Sequence, residues 1–125
     1  MAYGTCMTEE HQQNLEKLEK LFSKGKAFKA MKLANLLAAE YNSKGHYLMA
    51  VQVWKRVLRV DASQVEAHLR LIALQDQLKL EEDARVQRHL LQELCRESGI
   101  AEEELEQRKA NLGLQTAVPL GDDDN

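Results

Sequence analysis

Apolar residues recur at alternating three- and four-residue spacing along most of the chain, and the stretch from Met31 to Ser63 carries the pattern most fully. In its first arm Leu33, Ala34, Leu37, Ala38 and Tyr41 share one helical face; in its second, Tyr47, Ala50, Val51, Trp54, Val57 and Leu58 do the same. Asn42-Ser43-Lys44-Gly45 interrupts them. Gly45 accepts a positive φ without a Cβ penalty, and Asn42 and Ser43 can hydrogen-bond groups freed at a helix end. Two helices folded back on each other are predicted.

The same spacing extends to either side. Thr8 is suited to cap a helix that opens with Glu9 and Glu10 and sets His11, Leu15, Leu18 and Phe22 on one face, ending at Ser23-Lys24-Gly25. From Lys26 to Tyr41 more than half the helix circumference is apolar, counting Phe28 and Leu36, which predicts a central helix flanked on two sides. Ser63 and Glu66 have the spacing of a capping box for a helix over 64–78, with Val65, Leu69, Leu71, Ile72, Leu74 and Leu78. After Lys79, the acids Glu81, Glu82 and Asp83 open a helix that reaches Leu94. Ser98-Gly99 closes it, and 100–111 predicts a last helix with a thin apolar face of Ala101, Leu105 and Leu112. Residues 1–7 and 115–125 carry no periodicity and are expected to be flexible termini around a single all-α domain at 8–114.

The stretch from Met31 to Ser63 resembles a tetratricopeptide repeat, whose pattern runs Trp-x2-Leu-Gly-x2-Tyr, then Ala-x3-Phe, then Pro, with a period of about 34 residues. Leu37, Tyr41 and Ala50 match, with Trp54 as the later aromatic. Ala34, Ala38 and Ala62 replace the Trp, the Gly and the Pro. One period further on the apolar frame returns, Leu37 becoming Leu71, Ala38 Ile72, Ala50 Ala84 and Val57 Leu91, whereas Tyr41 becomes Gln75, Tyr47 Glu81 and Trp54 Arg88. The resemblance implies about two antiparallel helix hairpins, the second degenerate, with an extra N-terminal helix and a C-terminal capping helix.

Composition narrows the class. Charge is divided unevenly: residues 1–60 hold ten Lys and Arg against five Asp and Glu, residues 61–125 seven against fifteen. The molecule is therefore electrically polar. No apolar run is long enough for a membrane span and no signal pattern opens the chain, so a cytoplasmic protein is expected. Cys6 and Cys95 lack paired metal-binding spacing and read as ordinary thiols.

Motifs for chemistry are few. The six glycines are isolated and form no phosphate loop, and neither a nucleophile elbow nor a His-Glu-x-x-His pair occurs. The four histidines fall on four different elements, which argues against a metal site. No catalytic residue, cofactor or metal is expected. Lys26, Lys29 and Lys32 form a basic strip, but no aromatic or Arg-rich platform accompanies it, so nucleic-acid binding is disfavoured.

The resemblance implies a non-catalytic adaptor that receives a peptide or helix of a partner in the groove lined by the first helix of each repeat. Position by position, that groove would comprise Lys32, Asn35, Ala39 and Asn42, then Glu66, Leu69, Ala73 and Asp76. The Lys-x-x-x-Asn clamp by which some members hold a terminal carboxylate is not reproduced, because Lys32 and Asn35 have the wrong spacing. A small chaperone for a secreted or assembling subunit is the alternative. Open repeat ends also allow homo-oligomers.

Overall fold

A computed structural model describes residues 8–114, and within them the fold is all-α. Six helices follow one another: α1 (Glu9–Ser23), α2 (Ala27–Ser43), α3 (Tyr47–Val60), α4 (Val65–Gln77), α5 (Glu81–Ser98) and α6 (Glu102–Asn111). Connections of three or four residues fold each of α2 to α5 back on its predecessor, and α6 packs on α4. No helix among the described residues is long and apolar enough to cross a membrane.

Local chemistry accounts for the helix limits. Thr8 caps α1 as expected, its Oγ1 accepting from the His11 amide at 3.1 Å, with Glu9 and Glu10 against the positive end of the dipole. At the far ends of α1, α2, α4, α5 and α6 one closure recurs: the Lys26, His46, Leu80, Ile100 and Leu114 amides bond the carbonyls of Leu21, Tyr41, Gln75, Cys95 and Lys109 at 2.8–3.0 Å. In each case the preceding residue has positive φ, the geometry of a Schellman stop. Four of these residues are glycines and the fifth is Lys79, at φ 63°.

The capping box expected from Ser63 and Glu66 is not formed. Gln64 is the N-cap of α4 and makes no side-chain capping bond. Asp61 gathers the turn instead, its carboxylate accepting from the Ser63 amide and hydroxyl at 3.2 and 2.6 Å and from Gln64 Nε2 at 2.9 Å. Burial pushes the Asp61 carboxyl up, but these three bonds outweigh it and hold the group below the usual carboxylate range. The fifth helix ends at Ser98, with Ser98-Gly99 as its close, whereas the last starts at Glu102 and not at Ile100.

Burial divides into two clusters. The larger unites Leu15 and Leu18 of α1, Met31, Ala34, Leu37 and Ala38 of α2, Val53, Trp54 and Val57 of α3, and Ala67, Leu71 and Leu74 of α4. Trp54, the later aromatic of the repeat pattern, is 1% exposed and lies in this core. Val65, Leu69 and Ile72 on the other side of α4 form the smaller cluster with Leu91 and Cys95, against which Leu94, Ile100, Leu105, Leu112 and Leu114 pack. The central helix is thus α4, whose two apolar faces are both covered. The expectation that α2 would be enclosed in this way is corrected: Phe28 is 79% exposed and Leu36 68%. Both lie across the helix from Ala34, Leu37 and Ala38, outside the arc that α1 and α3 cover.

Candidate functional site

The two surfaces that stand out are the outer face of α2 with its continuation onto α4 and α6, and a cleft between α3 and α5. The first contains most of the residues expected to bind a partner. Asn35 of α2 donates through Nδ2 to Glu66 Oε2 of α4 at 3.0 Å, and the same oxygen accepts from Arg70 Nε at 3.0 Å. Asn35 also back-bonds to the Met31 carbonyl at 3.0 Å. These two candidates are therefore brought together, and they join α2 to α4. Lys32 and Ala39 are exposed, Ala73 is half-buried, and the Asn42 Oδ1 is buried without a partner among the described residues. Asp76 is held in an exposed ion pair with Arg88 of α5.

Leu69 does not belong to this surface. It is 4% exposed and packs with Val65, Ile72, Leu91 and Cys95, because α5 and α6 close over that side of α4. Its assignment to an open groove is corrected to a core role.

Lys26, Lys29 and Lys32 are all exposed, and the Lys32 ammonium sits 5.7 Å from the centre of the Phe28 ring, within reach of a cation–π attraction. Phe28, Lys32, Leu36 and Ala39 succeed one another along the exposed side of α2. The basic strip is thus one edge of an apolar ridge. Total apolar content does not distinguish Phe28 and Leu36 from core residues; the helical angle separating them from Ala34 does. On α6, Glu102, Glu103 and Glu106 are all exposed.

A regular interval ties these helices together. The positive-φ stops after α2, α4 and α6 fall at Gly45, Lys79 and Gly113, 34 residues apart each time. Asn35 to Glu66 links the first two helices of this set, and Leu105 of α6 packs on the α4 cluster. Helix length is not repeated: α3 has 14 residues and α5 has 18.

The second surface is a cleft of about 530 Å³ between α3 and α5, floored by Leu58, Leu71 and Leu94. Lys55 and Arg59 stand on the α3 wall, and Glu93 and Glu97 on the α5 wall. His68, 4% exposed, lies at the cleft, with Nε2 donating to the Ala62 carbonyl and Nδ1 accepting from Gln87 Nε2, both at 2.9 Å. His11 is likewise saturated, between Tyr41 Oη at 2.7 Å and Gln52 Oε1 at 2.9 Å. Burial raises the Cys95 thiol above its ordinary pKa, which disfavours the reactive thiolate. Among the described residues, no group of three or more His, Cys, Asp or Glu could hold a metal ion.

The chain matches no family model, no curated protein and no solved structure.

Proposed function

We propose that this chain is a non-catalytic scaffold of tetratricopeptide type, acting in the cytoplasm, that binds a segment of another protein along the face formed by α2, α4 and α6. The observation that supports this reading is the 34-residue interval between the stops at Gly45, Lys79 and Gly113, which matches the period of such repeats. Charge and exposure say what the face prefers. Phe28 and Leu36 offer apolar contact at the α2 edge, Lys29 and Lys32 favour carboxylates there, and Glu102, Glu103 and Glu106 favour cations at the α6 edge. The occupant is a segment with an apolar anchor, acidic toward α2 and basic toward α6.

A photo-crosslinking residue at Leu36, compared with one at the exposed Arg85 on α5, identifies the partner in cells. Titration calorimetry with that partner then tests the face. Phe28→Ala with Leu36→Ala lowers affinity at least about tenfold, as loss of interface anchors does. Unchanged affinity in that variant, with native helix content, rules the α2 face out.

A further inference from the structure

The cleft between α3 and α5 lies apart from the α2 face, and its two walls differ in sign. Lys55 and Arg59 on one side face Glu93 and Glu97 on the other, yet none of the ion pairs among the described residues joins the two walls. Glu93 is bound along its own helix by Arg96 at 2.8 Å and by His89 at 3.7 Å, while Lys55, Arg59 and Glu97 enter no ion pair there. Leu90, on the lip, is 48% exposed, and Val86 one turn earlier is 48% exposed. The apolar floor is thus bordered by an apolar ridge that it does not itself cover.

We propose that a second copy of this chain occupies the cleft, in a two-fold symmetric dimer where Leu90 of each copy enters the cleft of the other. A two-fold axis sets the α3 wall of one copy against the α5 wall of its partner, and the reverse. Lys55 and Arg59 then meet Glu97 and Glu93 of the other copy twice over, so a surface carrying both signs is complementary to itself. An apolar knob beside an apolar floor satisfies the same symmetry. Neither feature depends on the α2 face, and the two surfaces can be occupied together.

Charge exchange tests this arrangement specifically. Sedimentation of the wild type up to about 100 µM, a range that includes weak but specific dimers, should show a concentration-dependent dimer. Lys55→Glu with Arg59→Glu, and separately Glu93→Lys with Glu97→Lys, should each weaken dimerisation at least about tenfold. Mixed one to one, the two variants should pair, because both cross-contacts are then attractive. Leu90→Ser, at an exposed position that folding does not require, should also give a monomer. A monomeric wild type overturns the proposal. So does a dimer that persists in Leu90→Ser, or two folded charge variants that fail to pair on mixing. A monomeric wild type that still binds its partner through Leu36 removes the dimer and leaves the scaffold reading intact.

Discussion

The Tyr41 hydroxyl lies 2.7 Å from His11 Nδ1, with the two rings edge to face and 5.1 Å between centroids, so residues from α2 and α1 are locked together inside the larger cluster. His11 is fully buried, and with its proton on Nε2 it donates to Gln52 of α3 while accepting from Tyr41. One imidazole thereby fastens three helices. His11→Ala should cost about 2–4 kcal/mol, because it opens a cavity and removes the partner of two half-buried polar groups. Tyr41→Phe, which removes one hydroxyl, should cost about 1 kcal/mol. Urea unfolding followed by circular dichroism measures both, and equal losses in the two variants would contradict this account of the histidine.

Lys79 holds φ 63° where Gly45 and Gly113 hold 79° and 76°. A side chain in the left-handed region costs about 1 kcal/mol, and glycine removes that cost. Lys79→Gly should accordingly stabilise the protein by about 0.5–1 kcal/mol, read as a higher midpoint in urea. Gly45→Ala should move the midpoint the other way, although nothing lies within 4 Å of the added Cβ.

Asp61 makes the turn between α3 and α4 dependent on pH. Its carboxyl is held below the usual range in the folded chain, so its contribution is present above the ordinary carboxylate pKa and is lost as pH falls through the folded value. Asp61→Ala should be less stable than wild type by about 1 kcal/mol at neutral pH. The gap should shrink as pH falls below about 4. A gap of constant size down to acid unfolding would count against the hydrogen-bonded carboxylate as its source.

Cys95 is 7% exposed and packs with Leu91 and Leu69. In a Cys6→Ser background, a thiol reagent such as an aromatic disulfide should label it at neutral pH at least about a hundredfold more slowly in the native protein than in urea, since burial both shields the sulfur and disfavours its thiolate. Comparable rates in the two states would show that the smaller cluster opens readily.

Leu36 and Leu69 separate stability from recognition. Leu69→Ala should cost about 2–4 kcal/mol, whereas Leu36→Ala, at a residue 68% exposed, should stay within about 0.5 kcal/mol of wild type. Thermal melts of the two variants check this directly.

Helical periodicity made the elements legible, because most buried positions recur at helix spacing and the glycine at 45 marks its turn plainly. The stop at residue 79 was harder to see, since a lysine occupies the place of a glycine there. The placement of Leu69 could not follow from its own helix. Both faces of α4 are apolar, and which neighbour covers each is decided by α5 and α6, elements far along the chain. The repeat resemblance puts Asn35 and Glu66 on one surface, but their bond depends on the approach of two helices that periodicity within either one does not encode.

Because α4 gives Leu71 and Leu74 to one cluster and Leu69 and Ile72 to the other, it is a shared wall between two rooms. Trp54 belongs to the first of these clusters alone, and Leu91 and Cys95 to the second alone. The larger set of buried side chains lies on the amino-terminal side of that wall, so the two sides differ in how much apolar surface each keeps dry.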